Sequence, residues 1–227
     1  MRSVQLKEDI TFAQKTAMIK LARMQPEEGA CFYPWIGDPE AIRYSLSAFQ
    51  AMKTPAQIDH WFAATLRDEK SLNLGIYLQE TNALIGYAGL SNLSVTNQSG
   101  EYFIFIGEKA HWGKGVGTAV TKEVLRLGFA VHGLNRIMLT VSESNLGGVK
   151  AYTNAGFVVE GRLRAACCRD GLFHDKIVMS VLKAEWQQEW GLVVQENGRG
   201  CCRSLQFVTQ LRWLCAPAPK NAAPSPL

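Results

Sequence analysis

The chain has no uninterrupted apolar run of membrane-spanning length, and its first residues, "MRSVQLKEDITFAQ", lack the apolar centre of a signal peptide. No membrane partner is therefore expected, and the expected location is the cytoplasm. The six cysteines, Cys31, Cys167, Cys168, Cys201, Cys202 and Cys215, include two adjacent pairs but no C-x-x-C spacing. That excludes the common zinc and dithiol redox motifs and gives no disulfide framework, so no metal is expected and the thiols should stay reduced. A stripe of basic residues is also lacking. The formal net charge is +4 from 24 Lys and Arg against 20 Asp and Glu, which suits an anionic ligand and does not predict a nucleic-acid partner. No internal repeat is visible. What remains is 227 residues with 47% hydrophobic and 19% charged content, enough to bury a core.

Hydrophobic periodicity divides the chain into three parts. Residues 1–17 read as an N-terminal extension. Residues 18–190 carry the regular pattern, and residues 191–227, ending "CAPAPKNAAPSPL", read as a tail that is partly disordered at its Ala- and Pro-rich tip. Within the middle part, Met18 to Met24 alternates like a strand, and Pro26 and Glu27 open a short helix. "TPAQIDHWFAATLRDEK" predicts a helix capped by Thr54, with Pro55 in its first turn and Ile58, Trp61, Phe62 and Leu66 at helical spacing. Two strands turn at Glu80 to Asn82. "EYFIFIGE", Glu101 to Glu108, is a third, whose unbroken apolar run predicts burial on both faces. A helix follows with Val116, Val120, Val124, Leu127 and Val131 on one face and Gly133 at its end. Then come the strand "RIMLTVS", a short helix "NLGGVKAYTNAG", and a hairpin turning at Arg169, Asp170 and Gly171. The order predicts a single α/β domain with a mixed, mostly antiparallel central sheet flanked by helices.

"HWGKGVGTAVTKEVLRLGFAVHG" places Gly113, Gly115 and Gly117 at the mouth of a helix. Glycine admits backbone conformations and close approaches closed to other residues, and a helix start offers free N–H groups and partial positive charge. Together these predict a polyphosphate ligand. The NTPase loop G-x-x-x-x-G-K-[ST] does not fit the spacing. The dinucleotide turn G-x-G-x-x-G also differs, and here the glycines follow a meander of strands instead of opening a βαβ unit, although Glu143 could imitate its ribose-binding acid.

"WGKGVGT" resembles the pyrophosphate loop of the GNAT acetyltransferases, Q/R-x-x-G-x-G/A. Gly115 and Gly117 stand at its glycine positions and Trp112 replaces the usual Gln or Arg, a replacement typical of the branch of Rim-type N-terminal, spermidine and amino-sugar acetyltransferases. "SNLGGVKAYTNAGFVVEGRL" is similar to the family's second signature, with Asn145 seven residues before Tyr152. "PWIGDPEAIRYS" resembles the branch's W-x-x-D-P-E segment, and the likeness spans roughly Met18 to Trp186.

The resemblance implies acetyl-CoA as cosubstrate and acetyl transfer to a primary amine: a peptide or protein N-terminus, an amino sugar, a polyamine or an aminoglycoside. It implies that the backbone of Gly113, Lys114, Gly115, Val116, Gly117 and Thr118, with Trp112 at the loop's head, holds the pyrophosphate; Lys109 and Lys114 are candidates for added charge there, and equally for solvated surface lysines. It also implies that backbone groups of Ile104 and Ile106 pair with the pantetheine arm, that Asn145 holds the arm from the other side, and that Tyr152 is the acid for the leaving thiolate. A strand N–H near Phe105 or Ile106 is the candidate oxyanion donor, and Glu101 the candidate base, with His111 and His60 as alternatives. Asn145 is equally suited to capping the short helix, and Trp35 and Asp38 to packing and capping. Tyr33, Trp35, Asp38, Glu40 and Tyr44 are candidates for the acceptor pocket. Two other readings stand beside the enzyme: a non-catalytic acyl-CoA-binding sensor or assembly subunit, and a dinucleotide-binding protein. A sheet edge left by the terminal hairpin makes room for a homodimer, unless the tail covers it.

Overall fold

The computed structural model describes residues 18–45, 47–169 and 171–189. The expected extensions, the tail as a cover for the sheet edge, and Asp170 lie outside them. Seven strands form one sheet in the order β1-β2-β3-β4-β5-β7-β6: β1 (Ile19–Ala22), β2 (Leu72–Leu78), β3 (Leu84–Ser94), β4 (Ser99–Ile106), β5 (Arg136–Ser142), β6 (Val158–Arg169) and β7 (Leu172–Leu182). Every neighbouring pair is antiparallel except β4 and β5. Four helices, α1 (Phe32–Gly37), α2 (Pro39–Ile42), α3 (Ser47–Ala51) and α4 (Pro55–Arg67), follow β1 and a 3-10 turn at Pro26–Cys31. Then come α5 (Val116–Arg126), α6 (Leu146–Thr153) and α7 (Lys183–Glu189). Among the described residues no helix is long and apolar enough to cross a membrane.

Strand β4 is buried on both faces because its side chains alternate between two cores. Tyr102, Ile104 and Ile106 join Val116, Val120, Val124, Ile137, Leu139 and Met179 under α5. Phe103 and Phe105 join Phe32, Trp35, Phe49, Ile58 and Phe62 under the N-terminal helices. Trp35 lies flat against Gly107: a Cβ there would fall 2.1 Å from the indole, so only glycine fits where the strand leaves the sheet. Trp35 is thus core, as its packing alternative held. Asp38 caps α2 by accepting from the N–H of Glu40, with Pro39 in the first turn.

The helical face expected to reach Val131 ends sooner. Leu127–Val131 forms a π-helical turn, which rotates Phe129 into the core and leaves Val131 46% exposed. Gly133, at φ +68°, ends the segment as its position predicted.

The β4–β5 pair positions the site. It is parallel and short, with Ser99, Gly100 and Glu101 opposite Arg136, Ile137 and Met138. Beyond Glu101 the two strands part. Residues Tyr102 to Ile106 of β4 keep only β3 beside them, and Leu139 to Ser142 of β5 keep only β7.

Candidate active site

The fork between β4 and β5 leaves polar backbone atoms to be satisfied. Gly107 donates its N–H to Ile85 on β3, and by strand alternation Phe105 also faces β3 while Ile104 and Ile106 turn their N–H and C=O groups into the fork. The Ile106 carbonyl confirms this direction, because it accepts the indole N–H of Trp112 at 2.9 Å. Of the two expected oxyanion donors, the Phe105 N–H therefore belongs to the sheet ladder and the Ile106 N–H faces the opening.

The opening is a cavity of about 600 Å³. Ile104, Ile106, Trp112, Gly113, Gly115, Gly117, Thr118, Asn145 and Tyr152 line it, so residues from three separate stretches of sequence meet in one space. The glycines serve different ends. Gly113 (φ +68°) and Gly115 (φ +81°, capping α5) take left-handed conformations that strain any other residue. Gly117 needs no such freedom; a Cβ there would meet Ala151 at 3.7 Å in ordinary contact, so its absence widens the cavity wall. Free N–H groups of the first turn of α5 begin at this wall, and the helix is long enough to present a positive end. The loop, the helix start and the stretch of β4 that no second strand covers fit an extended ligand that carries a pyrophosphate and an amide-containing arm, which is the chemistry of coenzyme A.

Tyr152 packs edge-on against Tyr102 and Phe157, with ring centroids 6.0 and 6.1 Å away. Desolvation pushes its phenol up to about 12, so it holds its proton at neutral pH. Beneath it the Tyr102 hydroxyl lies 2.9 Å from the Thr121 hydroxyl, which itself donates to the Gly117 carbonyl at 2.7 Å. With the Thr121 proton committed there, Tyr102 is the donor to Thr121. Asn145 does cap α6, its Oδ1 accepting from the Gly148 N–H at 2.9 Å, and it lines the cavity as well.

Other expected residues stand elsewhere. Lys114 and the buried side chain of Val116 are outside the cavity lining. Lys109 is outside the cavity lining and is paired: its ammonium sits 2.7 Å from Asp38 and 2.6 Å from Glu40, and these partners, Asp38 first, hold its pKa above the ordinary lysine value. Glu101 does not line the cavity. It occupies the vertex of the fork, its side chain on the β4 face opposite Tyr102, where the Asn92 amide donates to its carboxylate at 2.8 Å. His111 lines the cavity and His60, exposed on α4, does not. Of the acceptor-side candidates, Glu40 and Tyr44 reach the cavity, whereas Tyr33 donates to Asp59 on α4. Phe105 lines the cavity too, and Ala41, Ser45, Gly147, Gly148, Lys150, Ala151 and Asn154, which no motif marks, complete the lining. Those on α6 follow from helical spacing around Asn145 and Tyr152, but nothing near Ser45 in sequence marks it.

The sequence model of the acetyltransferase (GNAT) domain matches residues 19–158, well over half of the chain. The chain belongs to the GNAT acetyltransferase family. Over 107 residues it is 30% identical to YdaF, a candidate ribosomal N-acetyltransferase of Bacillus subtilis (strain 168), covering 47% of this chain and 58% of that one. Over 103 residues it is 30% identical to the spermidine N(1)-acetyltransferase of Vibrio cholerae serotype O1, covering 45% and 59%. The chain thus spans less than two thirds of the length of these relatives. The crystal structure of spermidine N-acetyltransferase from Vibrio cholerae in complex with CoA and spermine shares the fold, with a TM-score of 0.67 at 20% identity over 74% of this chain and 98% of that one.

Proposed function

We propose that this GNAT protein is an acetyl-CoA-dependent N-acetyltransferase acting on a primary amine by direct attack. The observation that carries the reading is the convergence, in one cavity, of the β4 backbone at Ile104 and Ile106 where β5 does not pair with it, the Gly113–Gly117 loop and the protonated phenol of Tyr152. The relatives' names, which concern spermidine and ribosomal acceptors, support an amine acceptor as the class.

In this reading the loop amides from Gly113 to Thr118 bind the pyrophosphate, and Ile104, Ile106 and Asn145 align the arm so that the thioester lies in the fork. The acceptor must be neutral, because an alkyl ammonium with a pKa of about 10 has no lone pair to offer. Glu101, at the vertex and on the side away from Tyr152, takes that proton through an intervening water. The amine nitrogen bonds to the acetyl carbon, the Ile106 N–H stabilises the charge gathering on the carbonyl oxygen, and the C–S bond breaks. Tyr152 gives its proton to the departing thiolate, and the acylated nitrogen sheds its second proton to solvent, from which Tyr152 is reprotonated. Acid and base thus stand on opposite sides of the reacting carbon.

The same reading puts the enzyme in the cytoplasm, where Cys31, Cys167 and Cys168, none in a disulfide, stay reduced. It extends to a homodimer on the terminal strand β6, where Val158, Val159 and Leu163 are exposed. Calorimetric titration with acetyl-CoA, with NAD as control, tests the core of the proposal: micromolar binding of acetyl-CoA alone is expected, and no binding overturns it.

A further inference from the structure

The lysines near the glycine loop have different surroundings. Lys109 is held by Asp38 and Glu40, and Lys114 stands outside the cavity lining. Lys150, on α6, is the one lysine or arginine among the described residues that lines the cavity. It has no carboxylate within ion-pair distance among those residues, whereas Glu40, the one carboxylate of the lining, is matched by Lys109.

The winding of α6 tells which part of the ligand Lys150 meets. Successive residues of an α-helix turn by about 100°. Starting from Tyr152, the lined side of α6 passes Gly148, Ala151, Gly147 and Asn154 in turn and ends at Lys150, about 200° round. Ala151, in the middle of this arc, is fixed against the first turn of α5. Its carbonyl accepts from the Thr118 hydroxyl at 3.3 Å, and its Cβ is the nearest neighbour of a Cβ added at Gly117. The arc therefore runs from an acid at one edge, past the start of α5, to a cation at the other.

Coenzyme A has its groups in the same order. The thioester is at one end, the pyrophosphate is in the middle, and beyond it a ribose carries a phosphate monoester of its own. With the thioester at Tyr152 and the pyrophosphate at the start of α5, the monoester falls on the side of Lys150. The pyrophosphate has the free N–H groups of the loop and helix start to meet it. The monoester instead faces the last turn of α6, whose free carbonyls carry partial negative charge and repel a phosphate unless a cation stands there. Lys150 lies in that turn.

We propose that Lys150 binds the ribose phosphate of the acyl donor, so that the site tells acetyl-CoA from its 3′-dephospho form. The inference rests on the acetyltransferase reading and deepens its donor side. A lysine ammonium is a point charge on a flexible stem, suited to a phosphate, and because Lys150 is exposed its contribution is modest and sensitive to salt.

Calorimetric titration with acetyl-CoA and with acetyl-3′-dephospho-CoA tests the assignment. The parent is expected to bind acetyl-CoA about threefold to tenfold more tightly, with the gap closing as salt is raised. Lys150→Gln should bring acetyl-CoA down to the affinity of the dephospho form and change the latter by less than about twofold; the dephospho form thus serves as the control for an intact fold. Lys150→Arg should keep the gap. Equal affinities in the parent, a gap that survives Lys150→Gln, or a loss that falls equally on both donors, as contact with the pyrophosphate predicts, would overturn the inference and leave the cofactor reading standing. Failure of the parent to bind either donor would overturn both.

Discussion

The indole N–H of Trp112 and the carbonyl of Ile106 are joined by a 2.9 Å hydrogen bond that ties the head of the glycine loop to the last residue of β4. One side chain thereby ties the position of the glycine loop to the end of β4. Trp112→Phe keeps the ring and removes the donor. The expected outcome is a loss of about 1 kcal/mol in acetyl-CoA affinity, close to fivefold, read by calorimetry, with little change in Tm.

Replacing Tyr152 by Phe keeps its contacts with Tyr102 and Phe157 and removes the proton. Turnover should fall by about 10²- to 10³-fold, within or below the usual contribution of a positioned acid, with acetyl-CoA binding retained. Burial raises the folded-state pKa to about 12 from the ordinary value near 10. The phenol's contribution to stability is therefore complete below pH 10 and is lost as pH rises towards 12. Alkaline unfolding, followed by circular dichroism, should begin at higher pH in Tyr152→Phe than in the parent.

Glu101→Gln tests the base. The amide still pairs with Asn92 but accepts no proton. A rate that falls at neutral pH and recovers as pH rises, when more of the amine is already neutral, is the expected profile. An unchanged acidic limb would remove Glu101 from the chemistry.

Gly115→Ala places a side chain at φ +81° and should cost about 1 to 2 kcal/mol in stability. Gly161→Ala, where an added Cβ meets nothing within 4 Å, is the control. It is expected to shift Tm upward or not at all. Equal losses in the two variants, measured by urea unfolding, would show that the loop conformation is not the cause.

Glu160 on β6 pairs with Arg136 and accepts from Ser180, and these hydrogen bonds hold its carboxyl down at about 2. A depressed carboxylate stabilises the fold above its unfolded pKa, near 4.5, and loses that contribution as pH falls towards 2. Because the side chain is 37% exposed, screening limits the effect to less than about 1 kcal/mol. Glu160→Gln should narrow the gap in Tm between pH 6 and pH 3 relative to the parent.

Much of the cofactor side was legible in the sequence because it is written locally. The glycine loop opens its own helix, Asn145 caps the helix that carries Tyr152, and the apolar run of β4 announces burial on both faces. The acceptor side is written at long range. Tyr44 meets Ser144 a hundred residues away, and Arg169 meets Ser45 across 124. No periodicity reports such pairs. The partners of Lys109 are hidden for the same reason: beside the glycines in sequence it suggests charge near a phosphate or a solvated lysine, and only the fold brings Asp38 and Glu40 to it. The π turn at Leu127–Val131 escaped because its residues satisfy a regular helical pattern equally well.

The early parting of β4 from β5 divides what mutation can change. Along β4 the fork offers main-chain atoms at Ile104 and Ile106, which every amino acid except proline supplies, so substitutions that keep the strand leave that wall in place. Across the cavity the wall is made by side chains, Glu40 and Tyr44 among them, each replaceable alone. A lineage built this way can drift from one amine to another by changing a few surface positions, without rebuilding the half of the site that holds its acyl donor.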